Sequence, residues 1–402
     1  MAKGVGGLTA EQALARLDDM TANVRPIALD EYQQRIDKAL GLMAKQQLDV
    51  MLLNAGTNLR YFTGVDWYAS ERLVAALLFA DGSLIYVIPH FEIGSIAPLM
   101  LVKGELLSWQ EHDDPYALCA VQIKERCGEH AKLALDESAQ FFIADGLQQQ
   151  LPGLRISNAR HVTAPCRMHK SATELALMQT AMDMTLAVHK AAASILYQGI
   201  TTREVTEFIH LAHKKVGAPA GSYFCIVLFG EDTAYPHGVA NPKTLSDNDM
   251  VLIDTGCRVH GYLSDITRSY VFGQANERQR TVWQHEKNAQ QTAFAAAKNG
   301  IACQQVDRAA RSYLQQQGYG PDYNLPGLPH RTGHGIGLDI HEWPYLVEGN
   351  TTELATGMCF SNEPMLVLPG EFGVRLEDHF YMTEQGPRWF TQPAVDIEQP
   401  FS

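Results

Sequence analysis

Residues 250–272 of the chain read MVLIDTGCRVHGYLSDITRSYVF, with two apolar, strand-like runs on either side of a polar turn near Arg258 to Gly261. If the turn is symmetric, the pattern predicts a β-hairpin in which Asp254 and Asp265 face each other. Directly opposed residues have Cβ atoms ~5 Å apart, and like charges in that position repel. A divalent cation between the carboxylates is the simplest explanation. The alternative is that Asp254 caps a turn and Asp265 begins a bend, with no ligand.

A second pair of carboxylates flanks another turn, within GMCFSNEPMLVLPGEFGVRLEDH (357–379). Pro369-Gly370 is a strong turn signal, and Glu363 and Glu377 lie seven residues on either side of Gly370. A hairpin centred there predicts that the two glutamates also face each other. Two such pairs are harder to explain as coincidence than one, so the pattern favours a metal site.

Histidines are concentrated in HRTGHGIGLDIHE (330–342), where three of them are interleaved with glycines, and His237 lies in a turn-like YPHG segment. Glycines permit close approach of backbone or ligand, and neutral imidazole is the commonest metal ligand in proteins. Four carboxylates and one imidazole form an oxygen-rich set that suits Mn²⁺, Co²⁺, Fe²⁺ or Zn²⁺. Because carboxylates bridge, such a set can hold two metals ~3.5–4 Å apart around a shared hydroxide, an arrangement that performs hydrolysis.

The C-terminal part of the chain repeats itself. Four positions recur 101 residues later with the same spacing: Gly199, Ile200, Val205 and Gly217 return as Gly300, Ile301, Val306 and Gly318. In each copy two helical patterns end at glycine and strand-like segments follow. A helix–helix–strands unit used twice predicts an α+β domain with a pseudo-twofold repeat.

The rest of the chain predicts a smaller α/β domain over residues 27–160, a main domain over 161–402, and an N-terminal extension of open role at 1–26. In the smaller domain we expect a helix from Asp30, as its N-cap, to Lys45. The apolar stretch from Leu73 to Ile88 contains an Asp-Gly turn signal, so it predicts a β-hairpin rather than a membrane span. Residues 157–171 lack periodicity and are expected to link the two domains.

Composition narrows the range of partners. At ~150 residues per domain, 402 residues indicate two or three domains. Acidic residues outnumber basic ones, for a formal charge of −13, so the basic surplus typical of nucleic-acid and anionic-membrane binding is absent.

The start of the chain lacks the apolar core of a signal peptide. Seven scattered cysteines without a Cys-x-x-Cys pair argue against a disulfide framework. We therefore expect a cytoplasmic protein without nucleic-acid or membrane partners.

Five motifs resemble those of the pita-bread metallopeptidases, which include prolidase (Xaa-Pro dipeptidase), aminopeptidase P and methionine aminopeptidase. They are IDTG (253–256), SDITR (264–268), HRTGHGIG (330–337), NEP (362–364) and VRLED (374–378). NLRYFTG (58–64) resembles a segment of the N-terminal domain of prolidase, aminopeptidase P and creatinase, and Lys170-Ser171 resembles the entry into the family's catalytic domain. The resemblance implies a pita-bread catalytic domain after a creatinase-like N-terminal domain. Methionine aminopeptidases usually lack the latter and are the weaker match.

The resemblance also implies the ligands of two divalent metal ions, with Mn²⁺ expected ahead of Co²⁺, Zn²⁺ or Fe²⁺. In family order these ligands are Asp254, Asp265, His334, Glu363 and Glu377. Asp265 and Glu377 would bridge the two ions.

Further roles carry over by position. Glu363 matches the general base, and Arg375 matches an arginine near the carboxylates and substrate. His237, His330 and His341 match histidines that hold the substrate or stabilise the oxyanion. His379 departs from the family pattern, in which we expect a less polar or differently charged residue at this position, and two readings stay open: that His379 tunes the site, or that it has no role.

The activity implied is hydrolysis of Xaa-Pro bonds in dipeptides or short peptides by a bridging hydroxide in a dinuclear site. The expected partner is a small peptide with proline at its second position, and the family is commonly homodimeric. Two alternatives stay open: an aminopeptidase P acting on longer peptides, and a metal-dependent, creatinase-like enzyme acting on small molecules.

Overall fold

The structure of the protein is a computed structural model, which describes residues 4–401. These residues divide into two compact units. The smaller unit is Ile27–Arg167, and the larger unit comprises Met168–Ser402 together with the N-terminal residues up to Pro26. The predicted linker, 157–171, includes the end of a strand and the helix Arg160–Arg167. The predicted domain boundary at residue 160 lies at the start of that helix, whereas the two units divide at its end, between Arg167 and Met168.

Eleven α-helices are described in the chain between residues 4 and 401. In order they are α1 (Ala10–Leu14), α2 (Leu29–Gln46), α3 (Thr57–Thr63), α4 (Ile93–Ile96), α5 (Pro115–Cys127), α6 (Phe141–Gln150), α7 (Arg160–Arg167), α8 (Ala172–Ser194), α9 (Thr202–Lys215), α10 (Glu277–Ala296) and α11 (Cys303–Gln316). None of these described helices is both long and apolar enough to cross a membrane.

The strands fall into one sheet of the smaller unit and several short sheets of the larger one. In order they are β1 (Val50–Asn54), β2 (Ala75–Phe79), β3 (Leu84–Pro89), β4 (Glu105–Trp109), β5 (Lys132–Leu135), β6 (Arg155–Asn158), β7 (Phe224–Phe229), β8 (Met250–Gly256), β9 (Arg258–Val259), β10 (Tyr262–Leu263), β11 (Ile266–Val271), β12 (Gly333–Gly335), β13 (Glu342–Leu346), β14 (Cys359–Asn362), β15 (Met365–Leu368), β16 (Phe372–Arg375), β17 (Asp378–Thr383) and β18 (Gly386–Trp389).

The smaller unit is built on a six-stranded mixed sheet of order β4-β3-β2-β1-β5-β6. Strands β1 to β3 are completely buried, and apolar side chains of α5 and α6 pack in the same core. The predicted hairpin is confirmed as β2–β3, with Gly82 at a positive φ of 86° in its turn. The predicted N-cap of α2 is wrong. Ala28 occupies that position and Asp30 lies in the first turn, where its charge is favourable towards the helix dipole.

The larger unit contains the repeated helix pair. Helices α8 and α9 pack together, as do α10 and α11, and strands follow each pair. Gly199 and Gly300 both adopt positive φ in the turn between the helices of a pair, and Gly217 and Gly318 do so two residues after the second helix ends. The repeated glycines therefore mark equivalent left-handed backbone positions, for which glycine is the least strained residue.

The hairpin of the two aspartates forms, but its register differs from the prediction. Asp254 pairs with Thr267, not with Asp265. The turn is centred on His260 and Gly261, whose φ angles of 45° and 97° suit a two-residue hairpin loop. Asp265 therefore lies two residues from the position opposite Asp254. Because side chains alternate along a strand, both carboxylates still project from the same face.

The second hairpin keeps the predicted centre. Strands β15 and β16 pair around Pro369-Gly370, and β14 and β17 continue the same register from Asn362 and Asp378. Glu363 and Glu377 lie opposite each other in the gap between these ladders. Their backbone N–H groups instead donate to Thr332 O (2.9 Å) and Thr267 O (3.0 Å), which ties this hairpin to two other segments.

A chain of buried polar side chains supports the first hairpin from α8 and α9. Ser264 Oγ lies 2.8 Å from Thr185 Oγ1, which lies 3.1 Å from His213 Nε2. The other ring nitrogen of His213 lies 2.9 Å from Ser222 Oγ. Burial lowers the pKa of His213 to about 3. The neutral ring is therefore the form that the folded protein accommodates.

The lowered pKa of His213 predicts that the protein loses stability in mild acid. Below its unfolded pKa of ~6.5, His213 binds a proton more readily in the unfolded chain than in the folded one, so acid favours unfolding down to about pH 3. As the pH is lowered, the free energy of unfolding should fall more steeply in the wild type than in His213→Gln. The difference between the two slopes should be up to ~1.4 kcal/mol per pH unit. Urea titrations of both proteins between pH 7 and pH 4 measure the difference. An equal change of slope in His210→Gln, on the same helix, would contradict the assignment to burial.

Candidate metal centre

The four predicted carboxylates lie in or directly beside four different strands of the larger unit. Asp254 lies in β8, Asp265 directly precedes β11, Glu363 follows β14 and Glu377 directly precedes β17. The first, second and fourth are 7%, 5% and 1% exposed, and the side chain of Glu363 is 12% exposed. Carboxylates are seldom buried unless they are paired or bind a metal.

One group of four residues offers ligand atoms that all lie within 4.8 Å of one another: Asp265, His334, Glu377 and His379. Two further carboxylates lie beside it. Glu363 Oε1 is 3.1 Å from His334 Nε2, and the charge of Asp254, after burial and the charge of Glu377, raises the pKa of Asp265. The structure thus brings the five predicted ligands into one neighbourhood and adds His379, to which the sequence assigned no role.

The tautomer of His334 leaves a lone pair facing the carboxylates. Its Nδ1 lies 3.0 Å from the carbonyl oxygen of Gly335, which only accepts, so Nδ1 carries the proton and donates. In the neutral ring, Nε2 then presents a lone pair towards Glu363 and Asp265, whose oxygens are 3.1 and 3.8 Å away. Lone pairs on both sides repel unless a proton or a cation lies between them. A backbone carbonyl that orients the distal nitrogen in this way is usual for metal-binding histidine.

Several buried atoms of the cluster have no hydrogen-bond partner among the described residues. They are Asp254 Oδ1, Asp265 Oδ1, Glu377 Oε1 and both ring nitrogens of His379. Burial, followed by the charges of neighbouring carboxylates, raises the pKa of Asp265 and of Glu377 well above the usual range. Negative charge is therefore crowded in this place without enough protein cations to balance it. A divalent cation would satisfy both the unpartnered atoms and the charge, so the residues fit a metal.

Glu363 differs from the other carboxylates. Burial by itself raises its pKa, whereas the hydrogen bond and charge that His334 supplies when it is protonated, together with the charges of His330 and Arg375, lower that pKa below the usual range. Ser361 Oγ also donates to its Oε1 at 3.0 Å. Glu363 is thus the carboxylate that most readily stays ionised, and it borders the adjoining cavity.

Hydrogen bonds from the surrounding strands orient the ligands. Thr267 Oγ1 donates to Glu377 Oε2 at 2.7 Å and accepts from Arg375 Nε at 3.0 Å. Arg375 also forms an ion pair with Asp254. Burial opposes the charge of Arg375, but the surrounding carboxylates raise its pKa. One arginine and one threonine therefore connect ligands from both hairpins.

A cavity of about 350 Å³ opens beside the cluster. It is lined by His237, His330, Arg331, His341, Glu363 and Arg375. The structure therefore places all three predicted non-ligand histidines, and Arg375, around one space. The ring of His341 lies 4.1 Å from that of His334, centre to centre. Desolvation is the main cause that lowers the pKa of His341.

The sequence prediction missed the residues that hold the cavity loop. Asp307 and Arg311, four residues apart on α11, form a buried ion pair. Asp307 accepts from the backbone N–H and hydroxyl of Thr332, at 3.0 and 2.7 Å, and Arg311 donates to the backbone oxygens of Leu328 and His330. Their helical i,i+4 spacing was the available signal. It predicts an ion pair but gives no information about the loop that the pair contacts.

A second buried ion pair was also missed. Lys170 Nζ lies 3.1 Å from Glu342 Oε2, and the other oxygen of Glu342 accepts from the N–H groups of Leu338 and Asp339 at 2.8 and 3.1 Å. A Cβ on Gly337 would come within 2.8 Å of this carboxylate. Glycine at 337 therefore lets the loop close around Glu342, next to His341.

Family comparisons agree with this architecture. Residues 176–384, just over half of the chain, match the model of "Metallopeptidase family M24". The chain belongs to this family. Residues 35–169 of this M24 protein match "Creatinase/Prolidase N-terminal domain". The predictions of family, of fold class and of a metallopeptidase are therefore confirmed, and divalent metal is the cofactor class of the family.

Relatives match along nearly the whole M24 chain. An Xaa-Pro dipeptidase from Lactobacillus delbrueckii subsp. lactis is 29% identical over 90% of this chain and 98% of its own. The crystal structure of dipeptidase PepE from Mycobacterium ulcerans is similar with a TM-score of 0.85 at 31% identity, covering 93% of this chain and 99% of that one. A prolidase structure from Thermococcus sibiricus has a TM-score of 0.83 at 29% identity, covering 92% and 98%.

Proposed function

We propose that this protein is a metal-dependent Xaa-Pro dipeptidase. The observation that carries the proposal is the buried group of carboxylates and imidazole, with unpartnered ligand atoms, at the wall of a cavity lined by histidines. Relatives named Xaa-Pro dipeptidase and prolidase, similar over almost the full length, support the substrate class. At about 350 Å³ the cavity lies at the small end of the ~300–1,000 Å³ typical of ligand pockets, which suits a short peptide.

The residues proposed to hold two divalent ions are Asp254, Asp265, His334, Glu363 and Glu377. Mn²⁺ is the proposed ion, although an oxygen-rich set with one nitrogen also accepts Co²⁺, Fe²⁺ and Zn²⁺. Such ions polarise a carbonyl oxygen and make water a nucleophile at neutral pH.

The chain's own side chains supply the proton transfers. Glu363 borders the cavity, so its carboxylate is placed to take a proton from the attacking water and return it to the leaving nitrogen. His341 and His237 also line the cavity, where a ring N–H can donate to the carbonyl oxygen as negative charge develops on it.

This chemistry suits an Xaa-Pro bond. The proline nitrogen carries no hydrogen. A peptidase that recognises the scissile N–H through a hydrogen bond therefore cannot form that bond with an Xaa-Pro substrate. The residues described here contact the carbonyl side of the bond and deliver a proton to the nitrogen, and neither role needs that N–H.

We further propose that the protein acts in the cytoplasm as a homodimer. The seven cysteines are all unpaired and five are buried, which suits a reducing compartment. The dimer rests on the family resemblance.

Removal of metal is expected to abolish activity and to lower the thermal midpoint. Protein dialysed against a chelator should lose hydrolysis of Ala-Pro, and added Mn²⁺ should restore it. Metal at 100 times its dissociation constant would stabilise the fold by ~2.7 kcal/mol per site. Metal content by mass spectrometry, hydrolysis of Ala-Pro and of Ala-Pro-Ala, and thermal unfolding are the measurements. Purified protein that binds no metal and is not activated by Mn²⁺ or Co²⁺ would contradict the proposal, and preference for the tripeptide would favour an aminopeptidase.

A further inference from the structure

His379 is buried in the larger unit without a hydrogen bond to its ring. The residue is 0% exposed, and neither ring nitrogen has a hydrogen-bond partner among the described residues. Burial in this form costs free energy, because the nitrogens lose their hydrogen bonds to water and gain none in return. A side chain that only filled space in the strand would be apolar. The imidazole of His379 therefore suits a ligand that its nitrogens can bind.

The strand that carries His379 places its ring beside the metal cluster. Residues two apart in a strand project from the same face, so His379, in β17, lies on the side of Glu377, which directly precedes that strand. In the neighbouring strand β14 the residue opposite His379 is Ser361. The ring centre of His379 is 6.0 Å from that of His334. The backbone thus brings a second imidazole next to the predicted histidine ligand.

The distances fit two ligands of one ion better than a hydrogen bond. His379 Nε2 lies 4.0 Å from Glu377 Oε1, and both atoms are buried without a partner in the described chain. This separation is too long for a hydrogen bond. Two atoms that each lie ~2.0–2.2 Å from the same ion are at most ~4.4 Å apart. The limit of 4.8 Å on the whole group, which includes Asp265 and His334, exceeds that value by only ~0.4 Å.

A second imidazole would make the two metal positions chemically different. Asp254 lies outside the group of four and forms an ion pair with Arg375. Carboxylates suit Mn²⁺, whereas imidazole suits later metals such as Co²⁺ and Zn²⁺, which also bind nitrogen more tightly. We propose that His379 binds the same ion as His334, as a sixth ligand, and that this position favours Co²⁺ and Zn²⁺ over Mn²⁺. The inference rests on the metal centre of the proposed function and adds a ligand and a metal preference to it.

The direct test counts the histidines bound to one ion. Full-length protein labelled with ¹⁵N-histidine is freed of metal with a chelator and given one equivalent of Co²⁺, and NMR records the strongly shifted N–H resonances of histidines on the paramagnetic ion. We expect two such resonances in the wild type and one in His379→Leu. His379→Gln, which keeps a polar side chain, should also give one. A single resonance in the wild type would overturn the inference without any variant, and so would two in either folded variant.

Metal affinity gives a second readout that a purely structural role would not produce. Loss of a group that only orients a ligand costs ~10–100-fold in affinity, so loss of a ligand should weaken Co²⁺ and Zn²⁺ by ~100-fold or more in His379→Leu. Mn²⁺ should weaken less, because it gains least from nitrogen ligands. Competition with a chelator measures all three ions. Equal weakening of the three would indicate that His379 only orients the carboxylates, against the inference.

His285→Gln is the matched control. His285 is a half-buried histidine of the same unit, and its Nδ1 lies 3.2 Å from the hydroxyl of Tyr319, outside the cluster. This variant should change neither the number of shifted resonances nor the order of metal affinities. A comparable loss of Co²⁺ affinity in His285→Gln would mean that the effect does not depend on the position of His379, and the assignment would fail.

Hydrolysis of Ala-Pro separates this inference from the proposed function. Wild type that binds Co²⁺ through two histidines but does not cleave Ala-Pro would support the sixth ligand and refute the proposed substrate. Wild type that cleaves Ala-Pro with one histidine on the ion would support the proposed function and overturn the sixth ligand.

Discussion

Asp265→Asn is expected to lower Xaa-Pro hydrolysis by ~10³-fold or more while leaving the metal-free protein folded and more heat-stable than the metal-free wild type. Metal catalysis supplies several kcal/mol of transition-state stabilisation, and every 1.4 kcal/mol is a factor of ten in rate. The gain in metal-free stability follows from burial and from the crowding of charge, since burial, then the carboxylates of Glu377 and Asp254, raise the pKa of Asp265. A neutral amide at 265 removes this repulsion.

Three measurements separate the two effects: metal content, activity at saturating Mn²⁺, and the thermal midpoint in chelator. Asp247→Asn, an exposed substitution in the same unit, is the control and should change none of them. Asp265→Asn protein that keeps its metal and its activity would remove Asp265 from the ligand set. A metal-free variant less stable than the metal-free wild type would mean that the carboxylate is needed for folding, against the charge-crowding account.

The two hairpins show how far the sequence determines this site. Proline and glycine at 369–370 mark a turn whose centre is unambiguous, so the facing positions of Glu363 and Glu377 follow from spacing alone. His260-Gly261 is a less familiar turn, and the prediction placed its centre too early in the chain. The error shifted the partner of Asp254 by two residues, which keeps the side chains on the same face.

His379 was predictable in part. It lies two residues after Glu377, and in a strand this spacing places both side chains on the same face of the sheet. The structure shows that face lining the cluster, with His379 opposite Ser361 in the neighbouring strand. The prediction treated 377–379 as the end of a motif and did not extend the strand through it.

The supporting contacts could not be obtained from local sequence patterns. Arg311 and Asp307 act through a loop that follows their helix, and Lys170 reaches a glutamate 172 residues away. Helical spacing and turn signals report neighbours along the chain, whereas these pairs depend on how separate elements pack.

The largest loss of stability is expected from the buried pair Arg268–Asp378. Both side chains are completely inaccessible, and Arg268 Nη2 lies 2.6 Å from Asp378 Oδ1. Gln290 and Thr391 also donate to Asp378, at 3.2 and 2.7 Å, and Arg268 donates to the backbone oxygen of Glu377 at 2.8 Å. Arg268→Met would leave a buried carboxylate without its counterion. Removal of one partner of such a pair typically costs ~3–5 kcal/mol.

Urea unfolding of Arg268→Met in chelator should show this loss directly, because metal then makes no contribution. Arg278→Met is the matched control. Its partner Glu371 lies at 3.1 Å and both side chains are about half exposed, at 50% and 47%, so solvent screening should limit its cost to ~1 kcal/mol or less. The double variant Arg268→Met/Asp378→Leu should recover part of the loss, since no buried charge is then left unpaired. Equal costs for the two arginine variants would show that the interior pair does not stabilise the strands that present Glu377.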